Sequence, residues 1–178
     1  MIAVIDWETT GLTLHPNAPL SKQPKAIEFG GMKLDPATGE VKDALGQLIH
    51  PRESISAEIT KITGITNEQL VHQPNFEEFL PALRGFFTGC TVLVAHNAPF
   101  DRAILEFELA RLGVTDFPWP ERTFCTVGAY KESWGRNPRL IELYATVMGK
   151  PLQQTHRALD DVAALVEIIQ AEGLWALI

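Results

Sequence analysis

Cysteine is scarce in this 178-residue chain: Cys90 and Cys125 stand alone, with no Cys-x-x-Cys spacing. That argues against a disulfide framework and against a thiolate zinc site, and both thiols are expected to be reduced core residues. Long apolar runs are missing too. Nothing approaches the ~20 residues of a membrane span, and Met1-Ile2-Ala3 leads into an apolar strand without the basic stretch of a secretory leader. A cytoplasmic protein with no membrane partner is predicted. Positive charge is the third shortage, 15 Lys and Arg against 22 Asp and Glu for a net charge of −7. Such a balance argues against indiscriminate binding to phosphate backbones. It is compatible with a nucleic-acid substrate, because acids gathered in one pocket lower the net charge while cations held there reverse its local sign. No repeat or low-complexity tract interrupts the chain, so one domain over residues 1–178 is expected.

What is present is an alternation of strand and helix patterns. β-branched and alternating stretches predict strands at Met1 to Asp6, Ala26 to Leu34 and Val41 to His50, the last two joined by the turn sequence LDPATGEV, giving an antiparallel meander. Residues 15–24 (HPNAPLSKQP) read as a loop excursion. A short helix, a Gly turn and a second helix start with Thr66 as N-cap follow. Apolar spacing predicts a helix from Asn75 to Phe87, then a buried strand in TVLVAH, then a helix from Pro99 to Leu112. From Cys125 onward the chain reads as mainly helical, ending in a helix from Ala158 to Ala171. The class is α/β.

Charge appears where these patterns predict burial. In VIDWETTGL, Asp6 and Glu8 sit two residues apart at the end of the first strand, so they share one face and Trp7 takes the other. Either they face water or a cation compensates them. Asp101 lies at the next strand-to-helix junction, after His96 and Asn97, a place where ligands collect in α/β sheets; alone it reads equally as an acid favoured by a helix N-terminus. In the last helix, Asp160 aligns with Glu167 and Gln170 on a polar stripe, whereas Asp161 aligns with Ala164, Leu165 and Ile168 and faces the core. His156 falls in the loop before that helix, and imidazole beside inward carboxylates is a candidate proton acceptor. Four inward carboxylates cannot ionise together unless cations neutralise them, and oxygen ligands suit two divalent ions, Mg²⁺ or Mn²⁺, of the kind that clamp an in-line phosphoryl displacement.

The stretches DWETTGL, HNAPFD and HRALDD, in this order, resemble the three motifs of the DnaQ-like 3′-to-5′ exonucleases of the DEDDh type. The resemblance implies an RNase H-like fold, a mixed five-stranded sheet flanked by α-helices. It implies Asp6, Glu8, Asp101 and Asp161 as metal ligands, with Asp6 bridging both ions, Glu8 and Asp161 completing one shell and Asp101 holding the second directly or through water. It makes His156 the general base toward the attacking water, Thr10, Gly11 and Leu12 the pocket for the terminal nucleotide, and Asn97 a support for the substrate or for the groups around the metal ligands. The partner it implies is the 3′ end of a single-stranded nucleic acid, DNA ahead of RNA, in proofreading, repair or end trimming, with a polymerase or another nucleic-acid-processing protein as a further partner. An exoribonuclease of the oligoribonuclease or RNase T type is the alternative, and a non-catalytic module on the same fold ranks below both. Thr63 stands where many relatives carry a histidine. Lys131, Trp134, Arg136 and Arg139, in residues 131–139, suit single-strand binding and read equally as a solvated loop with one anchoring Trp.

Overall fold

A computed structural model describes residues 1–176 and residue 178. Five strands form one sheet in the order β3-β2-β1-β4-β5: β1 (Ile2–Thr9), β2 (Ala26–Leu34), β3 (Val41–Leu48), β4 (Val92–Ala95) and β5 (Arg122–Cys125). β1 pairs antiparallel with β2, β2 antiparallel with β3, and β4 and β5 run parallel to β1. Seven α-helices are described: α1 (Ala57–Thr63), α2 (Asn67–Leu70), α3 (Phe76–Phe87), α4 (Ala98–Arg111), α5 (Thr126–Trp134), α6 (Leu140–Met148) and α7 (Ala158–Ala171). This is the mixed five-stranded, RNase H-like arrangement.

Alternation along β1 divides the core in two. Ala3, Ile5 and Trp7 pack with Phe76, Phe79 and Leu83 of α3 and Ile104 and Leu105 of α4. Ile2 and Val4 pack on the other face with Leu143 of α6 and Val162, Leu165 and Ile169 of α7. Asp6 and Glu8 continue the second parity, so the face that is apolar at Ile2 and Val4 turns acidic beside the start of α7. Each fully buried Val, Leu or Ile contributes about 1.5–3 kcal/mol, and α7 buries enough of them, Val162, Leu165, Val166, Ile168 and Ile169, to carry Asp161 inward with them.

Local chemistry starts these helices, at Thr66 as expected. Thr66 with Gln69, and Asn75 with Glu78, form reciprocal capping boxes at α2 and α3. Glycine is required where α7 crosses β2: a Cβ on Gly30 would lie 2.3 Å from the Ala158 carbonyl carbon.

Three expectations change. β1 continues to Thr9 with an irregularity between Glu8 and Thr9, because Thr10 pairs onward with Lys25 through both its amide and its hydroxyl; the two acids therefore lie within the strand and not past its end. β5 has no periodic signal, being four residues after the Pro-rich FPWPE, and its register comes from pairing with β4. Residues 131–139 are not one loop: α5 runs to Trp134 and ends on left-handed Gly135, leaving a short link to α6. Cys90 is buried, as expected, while Cys125 is half-buried and its sulfur accepts the Gly128 N–H at the start of α5; both thiols are free. The 15–24 excursion is folded down onto α4, where Arg111 Nη2 donates to the carbonyls of Leu20, Gln23 and Pro24 at 3.2, 2.7 and 3.0 Å. Among the described residues no helix is long and apolar enough to cross a membrane.

Candidate active site

Asp6 and Glu8 come from the central strand and Asp161 from the first turn of α7, and each offers a carboxylate oxygen within 4.8 Å of the others. Desolvation pushes Asp6 up to about 7, reinforced by the charges of Asp161 and Glu28, and against a backbone hydrogen bond from Trp7. Burial pushes Glu8 up to about 9, with Asp6, Asp161 and Glu28 adding repulsion. Asp161 is raised for the same first reason, burial, and is held down by the Gln154 side chain and by nearby His156. Asp101, in the first turn of α4, is 2% exposed and lies outside the trio of mutually close oxygens. Burial raises its pKa well above the ordinary carboxylate value, and the charge of Asp6 is the next cause. Its Oδ1 is buried with no hydrogen-bond partner among the described residues. Buried acceptors are normally paired, so an orphaned carboxylate oxygen beside three mutually repelling acids fits a hard divalent cation with oxygen ligands.

His156 is exposed and borders the same groove of about 610 Å³ as Asp6 and Asp161, with Asn97, Arg139 and Gln154 also on its walls. Its backbone is left-handed, φ 52°, which is uncommon without glycine. The residues around it are anchored: Gln154 Nε2 donates to Asp161 at 2.9 Å, Thr155 Oγ1 to Asp160 at 2.6 Å, and Arg157 to Glu28 through Nε at 3.0 and 3.1 Å and Nη2 at 2.6 Å. Glu28 also accepts the Ala158 N–H at 3.1 Å, closing the start of α7. Sequence reasoning missed Glu28, Gln154 and Arg157. Glu28 did leave a signal: like Asp6, it is an acid inside an apolar strand, and it stands directly opposite Glu8 in the β1–β2 ladder.

Of the expected nucleotide-contacting residues, Leu12 is 82% exposed, an apolar side chain left in water beyond the end of β1. Gly11 is held by its carbonyl, which accepts the Thr9 hydroxyl at 2.7 Å, and the Thr10 hydroxyl is engaged by the Lys25 amide. Asn97 is exposed and precedes α4 without capping it through its side chain. Thr63 is buried, its hydroxyl spent on the Ile59 carbonyl and the Ile65 amide. His96 is likewise structural: its ring nitrogens meet Thr126 Oγ1 at 2.9 Å and the Pro138 carbonyl at 3.0 Å.

Residues 3–169 match the family model RNase_T, described as Exonuclease. The chain belongs to this exonuclease family. As a member it is an exonuclease domain, a hydrolase. It is similar to the DNA polymerase III PolC-type protein of Clostridium perfringens, 35% identical over 94% of this chain and 11% of the relative. A putative bifunctional exonuclease/endonuclease protein of Mycobacterium tuberculosis is 34% identical over 94% of this chain and 26% of its own length. The chain thus spans about a tenth to a quarter of these curated relatives. Among solved structures, Exonuclease X in complex with 5′ overhanging duplex DNA aligns at TM-score 0.67 and 25% identity, over 97% of this chain and 93% of that one. The nuclease domain of 3′hExo, a DEDDh family member bound to rAMP, shares the fold at TM-score 0.77 and 20% identity, over 97% and 90%.

Proposed function

We propose that this exonuclease domain removes nucleoside 5′-monophosphates one at a time from the 3′ end of single-stranded DNA, with Asp6, Glu8, Asp101 and Asp161 holding two divalent ions, Mg²⁺ or Mn²⁺. The observation that carries the reading is the clustering of Asp6, Glu8 and Asp161 within 4.8 Å of one another, next to the orphaned Asp101 oxygen. Once bound, the cations supply charge neutralisation of the phosphate and of the developing negative charge on the attacking and leaving oxygens. The rest falls to the chain. His156, at the lip of the groove, accepts a proton as water attacks the last phosphorus; the P–O3′ bond breaks, and the departing 3′ oxygen is protonated from solvent. Leu12 wedges against the terminal base, and Thr10 and Gly11 present a rigid backbone to its sugar, so only a chain end is accommodated. Asn97 and Arg139 line the path of the next phosphates.

DNA is favoured because the named relatives at 30% identity or more include DNA polymerases and Exonuclease X is seen with a DNA duplex. The same relatives support work beside a polymerase, in proofreading or end trimming. The ribonuclease alternative finds its support in 3′hExo, seen bound to rAMP, and in a 3′-exonuclease seen recognising a histone mRNA stem-loop. Incubating 5′-labelled single-stranded DNA and RNA of one sequence with Mg²⁺, with Mn²⁺ and with chelator separates the readings. A DNA ladder that shortens faster than the RNA ladder and stops in chelator is expected. Faster RNA shortening transfers the function to the alternative.

A further inference from the structure

We infer that the Glu28–Arg157 ion pair is a positioning device for His156. The inference rests on His156 being the base of the proposed reaction. The segment Gln154 to Ala158 approaches α7 as a strap, and every residue flanking His156 is tied down: Gln154 to Asp161, Thr155 to Asp160, Arg157 and the Ala158 N–H to Glu28. His156 itself has left-handed backbone at φ 52°, a conformation that persists only where the surroundings impose it. Its side chain is exposed at the groove containing Asp6 and Asp161.

The pair is built for geometry. Glu28 is 6% exposed at its side chain and sits on β2, a fixed element, opposite Glu8. Arg157 reaches it with Nε and Nη2, a two-pronged contact that fixes the guanidinium plane and with it the backbone directly after His156. A buried acid paired with a half-exposed cation is an inefficient source of stability, since its desolvation cost rivals its attraction. As a strut from sheet to strap it has a clear use: it ties the segment bearing the imidazole to β2, the strand paired with the β1 strand that carries Asp6 and Glu8.

The test is a double-mutant cycle. Lysine at 157 keeps the positive charge but loses the fork. Arg157→Lys is expected to lower kcat on 5′-labelled single-stranded DNA about tenfold, with KM within about threefold and an unshifted melting temperature. In a His156→Ala background the same substitution is expected to cost less than about twofold, because the group it positions is gone. Glu28→Gln, which keeps an acceptor for the Ala158 N–H, repeats the cycle from the other end of the strut if Arg157→Lys melts early. Equal losses in both backgrounds would make the pair a general structural contact and overturn the inference. A slow His156→Ala beside a full-rate Arg157→Lys defeats the positioning role alone, whereas full-rate turnover by His156→Ala defeats the base assignment and the positioning role together.

Discussion

Asp160 and Asp161 are neighbours in sequence and face different tasks. Asp161 is 8% exposed within the acidic trio, whereas Asp160 is exposed and accepts the Thr155 hydroxyl. Asp161→Ala is expected to reduce turnover by ~10²-fold or more through loss of charge at the reacting phosphate. Asp160→Ala loosens the strap only at Thr155 and is expected to cost less than about tenfold. Rates for the two folded variants, measured side by side, check this, and equal losses would show that helical position does not separate them. His156→Ala is expected to slow kcat by ~10²-fold or more while KM barely moves; a variant that binds poorly yet turns over normally at saturation would make His156 a binding residue. At this scale the sequence was informative about the acids because carboxylates inside apolar periodicity stand out. It was silent on Gln154 and Arg157, polar residues in a segment without periodicity, whose partners at Asp161 and Glu28 are visible only once α7 lies across β2.

The crossing of α7 over β2 is the contact between elements that sets the site. Gly30 pairs with Asp6 in the ladder and touches the backbone of Ala158, so an added methyl group meets main chain that cannot swing aside. Gly30→Ala is expected to destabilise the protein by about 1–3 kcal/mol and to lower activity in the surviving folded fraction, because α7 carries Asp161. Gly46, on the neighbouring strand, would present its Cβ to the flexible end of Leu159 at 3.2 Å, and Gly46→Ala is expected to be much milder. Thermal melts of both, read with specific activity, distinguish the two contacts. Most elements were legible in the sequence through apolar spacing, as at α3, and at α2 through the Thr66 cap. β5 was not, since four residues following prolines carry too little pattern and acquire strand geometry from β4. The break at Gly135 in residues 131–139 was equally hidden, because a basic and aromatic composition fits a helix end as well as a loop.

Across the whole molecule, the cost of gathering acids should appear as a dependence of stability on pH. Asp6 rises from 3.8 to about 7 and Glu8 from 4.5 to about 9 in the folded chain, so between those limits the folded state binds more protons than the unfolded one. Stability without metal therefore falls as pH rises from about 4 toward 9, and is greatest on the acid side of that window as far as these two groups are concerned. Under the proposed function, divalent cations bind the ionised acids and oppose the fall. The melting temperature difference between Mg²⁺ and chelator is expected to widen from about pH 5.5 to about pH 8.5; a gap that is constant or narrows would show that these carboxylates do not hold the metal.

The central claim, that this acidic cluster drives hydrolysis from a 3′ end, is tested most directly by offering linear and covalently closed circular single-stranded DNA of one sequence to the wild-type protein and to folded Asp161→Ala in Mn²⁺. The account expects the wild type to convert the linear strand to mononucleotides and leave the circle intact, with Asp161→Ala leaving both untouched. Cutting of the circle, or unimpaired degradation of the linear strand by Asp161→Ala, would contradict it.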